Sequence, residues 1–255
     1  MIGLHLKKLL LLFVLFFFIT KIFSQDVSTL LRVAKNLEFK FDETGAIAKY
    51  QEVVGKDPSN MLAMVKCTEL NCSIGNREKD KNTKKSYYQS ALIFAQNAYA
   101  KDSSNSDACY ARALVAKRMS EIDDNKDLIE DIKQIKIFSD KALAANVNNA
   151  KANYILGTWH FELIRSNWIK KQQVKSFYRG ISDTQIDSAI YYMEKARTIE
   201  PYFAIDFLDL AKVYAYDHQP EKAIDVLNKL VHLPNRTYDD TAIKEEGKQM
   251  LATIQ

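Results

Sequence analysis

The sequence predicts an all-α fold: an α-solenoid of about five helical hairpins ending in a C-terminal capping helix. Three observations predict it. First, one phrase recurs at fixed offsets. Ala46, Tyr50, Val53 and Pro58 set it, Ala189, Met193, Ala196 and Pro201 repeat it, and Ala223, Leu227, Leu230 and Pro234 keep it with one residue deleted. Second, 7 glycines and 4 prolines are few for 255 residues, which suits long helices with short connections. Third, apolar residues recur with helical period, as in Phe207, Leu210, Ala211 and Tyr214 at i, i+3, i+4 and i+7.

Taken in chain order, the helices are expected to pair as 27–41 with 44–57, 61–75 with 83–102, and 106–119 with 124–145. A long helix over 149–176, with room for a break, pairs with 183–199, and 203–217 pairs with 220–232. Ala91, Ala95 and Ala98 mark the second helix of the second unit, and Ala142 that of the third. Pro220 suits the first residue of a helix, where its missing N–H costs nothing, and Pro234 ends that helix. From Thr237 onward, Ala242, Met250 and Leu251 on a charged background read as a solvated capping helix. Gly75–Ser86 is charged and aperiodic and reads as an exposed loop or frayed helix end.

Residues 1–24 stand apart. Lys7 and Lys8 precede an unbroken apolar run from Leu9 to Ile19, and Ser24 follows as a small exit residue, the pattern of a secretory signal peptide. A bilayer span needs roughly 20 apolar residues, so a retained anchor is the weaker of the two readings. The expected mature chain is the repeat domain 25–255, periplasmic or extracellular. Removing Lys7, Lys8 and Lys21 lowers the formal charge from +4 to +1. No basic surplus of the kind that binds nucleic acid remains. Cys67, Cys72 and Cys109 are an odd set, with Cys67 and Cys72 pointing different ways on one expected helix, so free buried thiols are expected.

The small residues, aromatic fillers and closing prolines resemble the tetratricopeptide repeat, whose unit is about 34 residues long. Its closing position falls at Pro58, Ser103, Val147, Pro201 and Pro234, with intervals of 45, 44, 54 and 33, so the middle units carry insertions. Leu156 with Gly157 and Leu210 with Ala211 mark first helices. The irregular fourth unit narrows the match. Leu156, Gly157, Trp159, Phe161, Glu162, Trp168, Lys170 and Lys171 resemble the helical domain of the regulator of microtubule dynamics family, and the likeness runs over roughly residues 30–253. Two features depart from that family: Gly180-Ile181-Ser182-Asp183 replaces a Pro-Pro turn, and His160 replaces a small or thiol residue. The resemblance implies a helical-repeat fold and allows a membrane-tethering or lipid-binding role. Its members work in or facing the eukaryotic cytoplasm, whereas the leader directs this chain elsewhere.

No catalytic constellation or metal-ligand spacing is present. His5, His160, His218 and His232 are scattered, and His160 reads as a satisfied core histidine. Glu121–Asp131 has the charge of a calcium loop without its glycine or ligand order, and reads as a solvated face. No cofactor is expected, and an enzyme is the least favoured class. Stacked hairpins of the tetratricopeptide type line a concave groove with their first helices. The positions so implied are Tyr110, Leu114, Lys117 and Arg118, then Tyr154, Thr158, Phe161 and Glu162, then Leu208, Lys212 and Tyr216. Tyrosines among Lys and Arg suit an acidic peptide or a carboxylate, and an ordinary wetted surface is the alternative. Trp159 and Trp168 either pack the inserted helix or flank the groove. The expected function is therefore a non-enzymatic exported scaffold for a protein or peptide partner. The alternative is a lipid-binding or membrane-tethering module with an apolar tunnel near Trp159, Phe161, Trp168 and Phe177.

Overall fold

The computed structural model describes residues 26–166 and 186–254. Among them lie eleven helices and no strand: α1 (26–39), α2 (Glu43–Lys56), α3 (Met61–Arg77), α4 (Lys81–Lys101), α5 (Ser106–Ser120), α6 (Asn125–Ala145), α7 (Ala150–Arg165), α8 (Ile186–Ile199), α9 (Ala204–Tyr216), α10 (Pro220–Val231) and α11 (Asp240–Ile254). Consecutive helices form hairpins, and α3, α5, α7 and α9 also pack on one another in sequence. The helices α4, α6, α8 and α10 lack such broad mutual packing, so the first helices form an inner layer and the second helices splay outside it. This is the expected α-solenoid with its capping helix. The leader, Trp168, Lys170, Lys171, Phe177 and the turn 180–183 lie outside the described residues.

The closing phrase works through capping as well as through proline. Asp57 accepts from Ser59 N at 3.0 Å and Ser59 Oγ at 2.6 Å, and Asn60 Oδ1 accepts from Ala63 N at 3.1 Å. Asp102 repeats this with Ser104, and Asn105 caps Ala108 N at 3.0 Å. Asn146 accepts from Asn148 N and Asn149 caps Ala152 N, both at 3.0 Å. Ser103 and Val147 can therefore stand where Pro58 stands, because the first Asp or Asn of each pair closes the turn and the second caps an orphan N–H of the next helix.

The segment Gly75–Ser86 departs from expectation. Helix α3 runs on to Arg77 and α4 begins at Lys81, leaving only residues 78–80 between them. Asp80 caps α4 by accepting from Thr83 N at 2.7 Å. Tyr88, 0% exposed, lies over Gly75, where a Cβ would stand 2.8 Å from its ring. Lys81, Lys84 and Lys85 form a partly or fully exposed helical face, which mimics a loop in composition.

Apolar clusters run along the array: Tyr50 and Val53 with α3 at one end, the α5–α7 layer in the middle, and α8–α11 at the other end. Cys67, Cys72 and Cys109 are free and buried, as expected. The capping helix is not wholly solvated. Gly247 is buried against α10, with the added Cβ position 2.7 Å from Leu230 Cδ2, and Met250 and Leu251 are partly buried on the same cluster.

Gly157 marks a close α7–α8 approach, where a Cβ would meet Met193 Cγ at 2.7 Å and the Ala189 carbonyl oxygen at 3.2 Å. Alanine is worth ~1 kcal/mol over glycine within a helix. Gly157→Ala is nevertheless expected to destabilise the protein by about 1–3 kcal/mol, because backbone stands in the way. Gly55→Ala, with nothing within 4 Å, is the control and is expected to gain up to about 1 kcal/mol. Urea unfolding of the two variants checks both signs.

Candidate functional site

The inner layer is drawn in tightly at its first half. Glu69 on α3 bonds Lys151 on α7 at 2.6 Å, passing over α5, and Lys66 Nζ lies 3.2 Å from Glu69 and 3.0 Å from Glu38. Burial opposes ionisation of Glu69, but Lys151 and Lys66 outweigh it and hold the carboxyl down to about 2. Tyr110, 6% exposed, is enclosed beside this cluster, and burial with Glu69 alongside pushes its phenol well above the usual range. Tyr110 therefore presents little surface to a partner.

A depression of about 250 Å³ lies between α5, α6 and α7, lined by Lys117, Ser120, Glu121, Ile132, Ile135, Thr158, Trp159, Glu162 and Leu163. A second, of about 80 Å³, adjoins it through Lys117, Thr158 and Glu162, and adds Phe161, Arg165, Met193, Asp209 and Lys212. Trp159, 3% exposed, is fixed by its Nε1–H, which donates to the Ile132 carbonyl at 2.9 Å.

Of the residues expected at the groove, Lys117, Thr158, Phe161, Glu162 and Lys212 come together here. Tyr216, half-exposed, meets the Phe161 ring edge-on with centroids 5.5 Å apart. The others are placed differently. Leu208 is fully buried in the α8–α11 cluster and presents nothing to a partner, because its side of α9 faces the core. Leu114 is packed on the middle cluster, and Tyr154 is buried with its hydroxyl donating to Asp209 at 2.7 Å. Arg118 turns to Glu121 at 2.9 Å and Asn76 at 3.3 Å.

The charges are already matched. Lys117 lies 3.1 Å from Glu121, and Lys212 lies 3.1 Å from Asp209 and 3.0 Å from Glu246. Burial works against the charge on Glu121, yet Lys117 and Arg118 prevail and keep its carboxyl below the usual value. The row of tyrosines and cations that pointed to an acidic ligand is thus self-neutralised, and the surface left to a ligand is a notch of mixed character, polar atoms beside the edges of Ile132, Ile135, Trp159 and Leu163. Ile132 and Ile135 were missed because they come from a second helix, whereas the groove rule looks only at first helices. The available signal was their spacing to Ile129 along one apolar stripe of α6, all three being buried.

His160 is not a satisfied core residue. It is partly exposed, its Nδ1 is buried without a hydrogen-bond partner, and its ring stacks on Tyr192 at 5.7 Å. Burial, with Lys136 nearby, lowers it to about 4. Among the described residues no group of three His, Cys, Asp or Glu is placed to hold a metal ion.

Comparison with known proteins agrees with this architecture. A crystal structure of a thermophilic tetratricopeptide-repeat protein from Thermus thermophilus superposes with a TM-score of 0.64 at 11% identity, covering 89% of this chain and 98% of that one. The likeness is one of fold. Regulator of microtubule dynamics protein 1 of Mus musculus is 25% identical over 172 residues, 67% of this chain and 56% of its own length. Regulator of microtubule dynamics protein 3 of Bos taurus is 21% identical over 173 residues, 68% of this chain and 37% of its own length. The chain thus spans about half or less of these relatives. The sequence profile described as regulator of microtubule dynamics protein 1-3 matches residues 30–255, from within α1 to the end of α11. Its Leu-Gly-x-Trp-x-Phe-Glu stretch sets the α7–α8 approach and the notch, and on this profile the chain belongs to the regulator of microtubule dynamics family.

Proposed function

We propose that the chain is a non-catalytic helical scaffold that holds a segment of a protein or peptide partner at the notch between α5, α6 and α7. The observation that carries this reading is the pairing of an apolar floor (Ile132, Ile135, Trp159, Leu163) with a charge-compensated rim (Lys117, Glu121, Glu162). Small-molecule pockets are typically about 300–1,000 Å³. A notch of about 250 Å³ suits one large apolar side chain of an otherwise surface-bound segment. Chemistry is disfavoured by how its hydroxyls are used. Ser120 Oγ donates to the Lys117 carbonyl at 2.7 Å and Thr158 Oγ1 to the Ile155 carbonyl at 2.8 Å, so neither is paired with a base as an activated nucleophile would be.

Export is part of the proposal and rests on the leader; among the described residues no helix is long and apolar enough to cross a membrane. Sequencing the N-terminus of the native protein tests it, with Gln25 as the expected first residue and an intact Met1 the contrary result. For the site, Ser120→Trp fills the notch, and Lys117→Ala with Glu162→Ala strips its rim. Crosslinked partner recovered from the native compartment is expected to fall about tenfold with Ser120→Trp, the effect of losing a central anchor. Unchanged recovery in both variants rejects this site. Phospholipid released from the purified protein, detected by mass spectrometry, favours the lipid-binding alternative.

A further inference from the structure

The segment between α10 and α11 is fixed to its own unit from within. Asp240, 3% exposed, accepts from Arg236 N at 2.7 Å, Thr237 N at 2.9 Å and Thr237 Oγ1 at 2.5 Å. Asn235 Nδ2 donates to Thr241 Oγ1 at 2.8 Å, Lys244 Nζ reaches the Leu233 carbonyl at 2.9 Å, and the Arg236 guanidinium lies 4.0 Å over the Tyr202 ring. So braced, the segment presents Tyr238 and Asp239 away from its own helices. Both are met by a residue 162 positions before Asp239. Arg77, at the end of α3, donates from Nη1 to Asp239 Oδ1 at 2.8 Å, and its guanidinium lies 4.4 Å over the Tyr238 ring. The same guanidinium also pairs with Glu43 in the first turn of α2.

No broad packing of α2 or α3 on α11 accompanies this contact among the described residues. One planar cation therefore ties the first two hairpins to the segment that follows the fifth. Arginine suits the task because its rigid fork serves two carboxylates while its face covers a ring, which a lysine cannot reproduce. The side chains of Glu43, Arg77 and Asp239 are only 11%, 28% and 29% exposed, so solvent screens the set less than a surface pair.

We propose that Arg77, Asp239 and Tyr238 form a clasp that closes the helical array end to end, and that its release lets the terminal hairpin and α11 swing away from α3. The clasp stands independently of the partner site. An ion pair plus a ring contact of this kind shifts a closed-to-open ratio by roughly five- to thirtyfold. Among the described residues no helix from α2 to α4 packs broadly on α10 or α11, so that shift is available to change the molecule's shape.

The test uses the full chain with exposed Lys79→Cys and Gln249→Cys carrying spin labels, the three native thiols being buried. Pulsed electron paramagnetic resonance on the parent is expected to give one short-distance population. Arg77→Ala, and separately Asp239→Asn with Tyr238→Ala, are expected to add a longer, broader population, with helical circular dichroism unchanged. The second pair alters only partly exposed loop side chains, so the fold survives even if Arg77→Ala disturbs α3. High salt acts in the same direction on the parent and has no effect on the clasp variants. An unaltered distance in both variants overturns the proposal.

Discussion

Trp159→Ala is expected to be the most damaging single change in the described array, lowering stability by about 3–5 kcal/mol. Trp159 is 3% exposed, fills the space between α6 and α7, and meets His160 edge-on at 5.0 Å with the Lys136 ammonium 5.7 Å over its ring. Truncation removes that packing together with the indole hydrogen bond to the Ile132 carbonyl. Trp159→Phe keeps most of the buried area and loses the hydrogen bond, so about 1–2 kcal/mol is expected for it. Guanidinium unfolding monitored by circular dichroism checks the order. Equal effects from the two variants would show that the indole N–H, rather than ring packing, dominates. Loss of partner recovery with Trp159→Phe at preserved stability would separate a contact role from a packing role.

The second large effect falls on Glu69. Glu69→Gln leaves Lys66 and Lys151 facing each other across a neutral amide, and a loss of about 2–3 kcal/mol at neutral pH is expected. The sign of the pH dependence follows from the direction of the shift. The folded carboxyl lies at about 2 against an ordinary value of 4.5, so its contribution is complete above 4.5 and is lost as pH falls from 4.5 towards 2. His160 acts in a neighbouring window. Its folded value of about 4 lies below the ordinary 6.5, so its contribution is present above 6.5 and lost as pH falls from 6.5 towards 4. Glu69→Gln is therefore expected to lessen the acid loss of stability below pH 4.5, and His160→Phe to lessen it between 6.5 and 4. Thermal denaturation across this range tells the two apart. Other carboxylates, Glu121 among them, also titrate here, so it is a slope below pH 4.5 left undiminished by Glu69→Gln that would remove the Lys66–Glu69–Lys151 cluster from this account.

Much of the scaffold is legible in the sequence because helical periodicity and small-residue contacts are local properties. The positions Ala46, Tyr50 and Val53, or Ala223, Leu227 and Leu230, are buried as the phrase requires, and the hairpin limits follow within a few residues. The segment 75–86 misleads because a lysine-rich helical face looks like a loop until Tyr88 is seen resting on Gly75. The site was less legible. Tyr110, Tyr154 and Arg118 face inward, but what they meet depends on how sharply the array curves, and that is decided by contacts such as Lys151–Glu69 between residues 82 positions apart. Leu208 illustrates the same limit: a one-position rotation of a helix exchanges groove for core. Composition found the tyrosines and cations, whereas only the three-dimensional arrangement shows Lys117, Arg118 and Lys212 already answered by carboxylates.

The bond from Glu69 to Lys151 has a consequence for how such a chain can change over generations. Repeat arrays usually lengthen or shorten by gaining or losing whole units, because each unit touches only its neighbours and stability is nearly a sum along a line. Here the second unit grips the fourth, over the third. Duplicating or deleting a hairpin between them would separate Lys66 and Glu69 from Lys151 and leave these half-buried charges without their present partners. A change in the number of repeats is therefore expected to cost this array more stability than a change in loop or helix length.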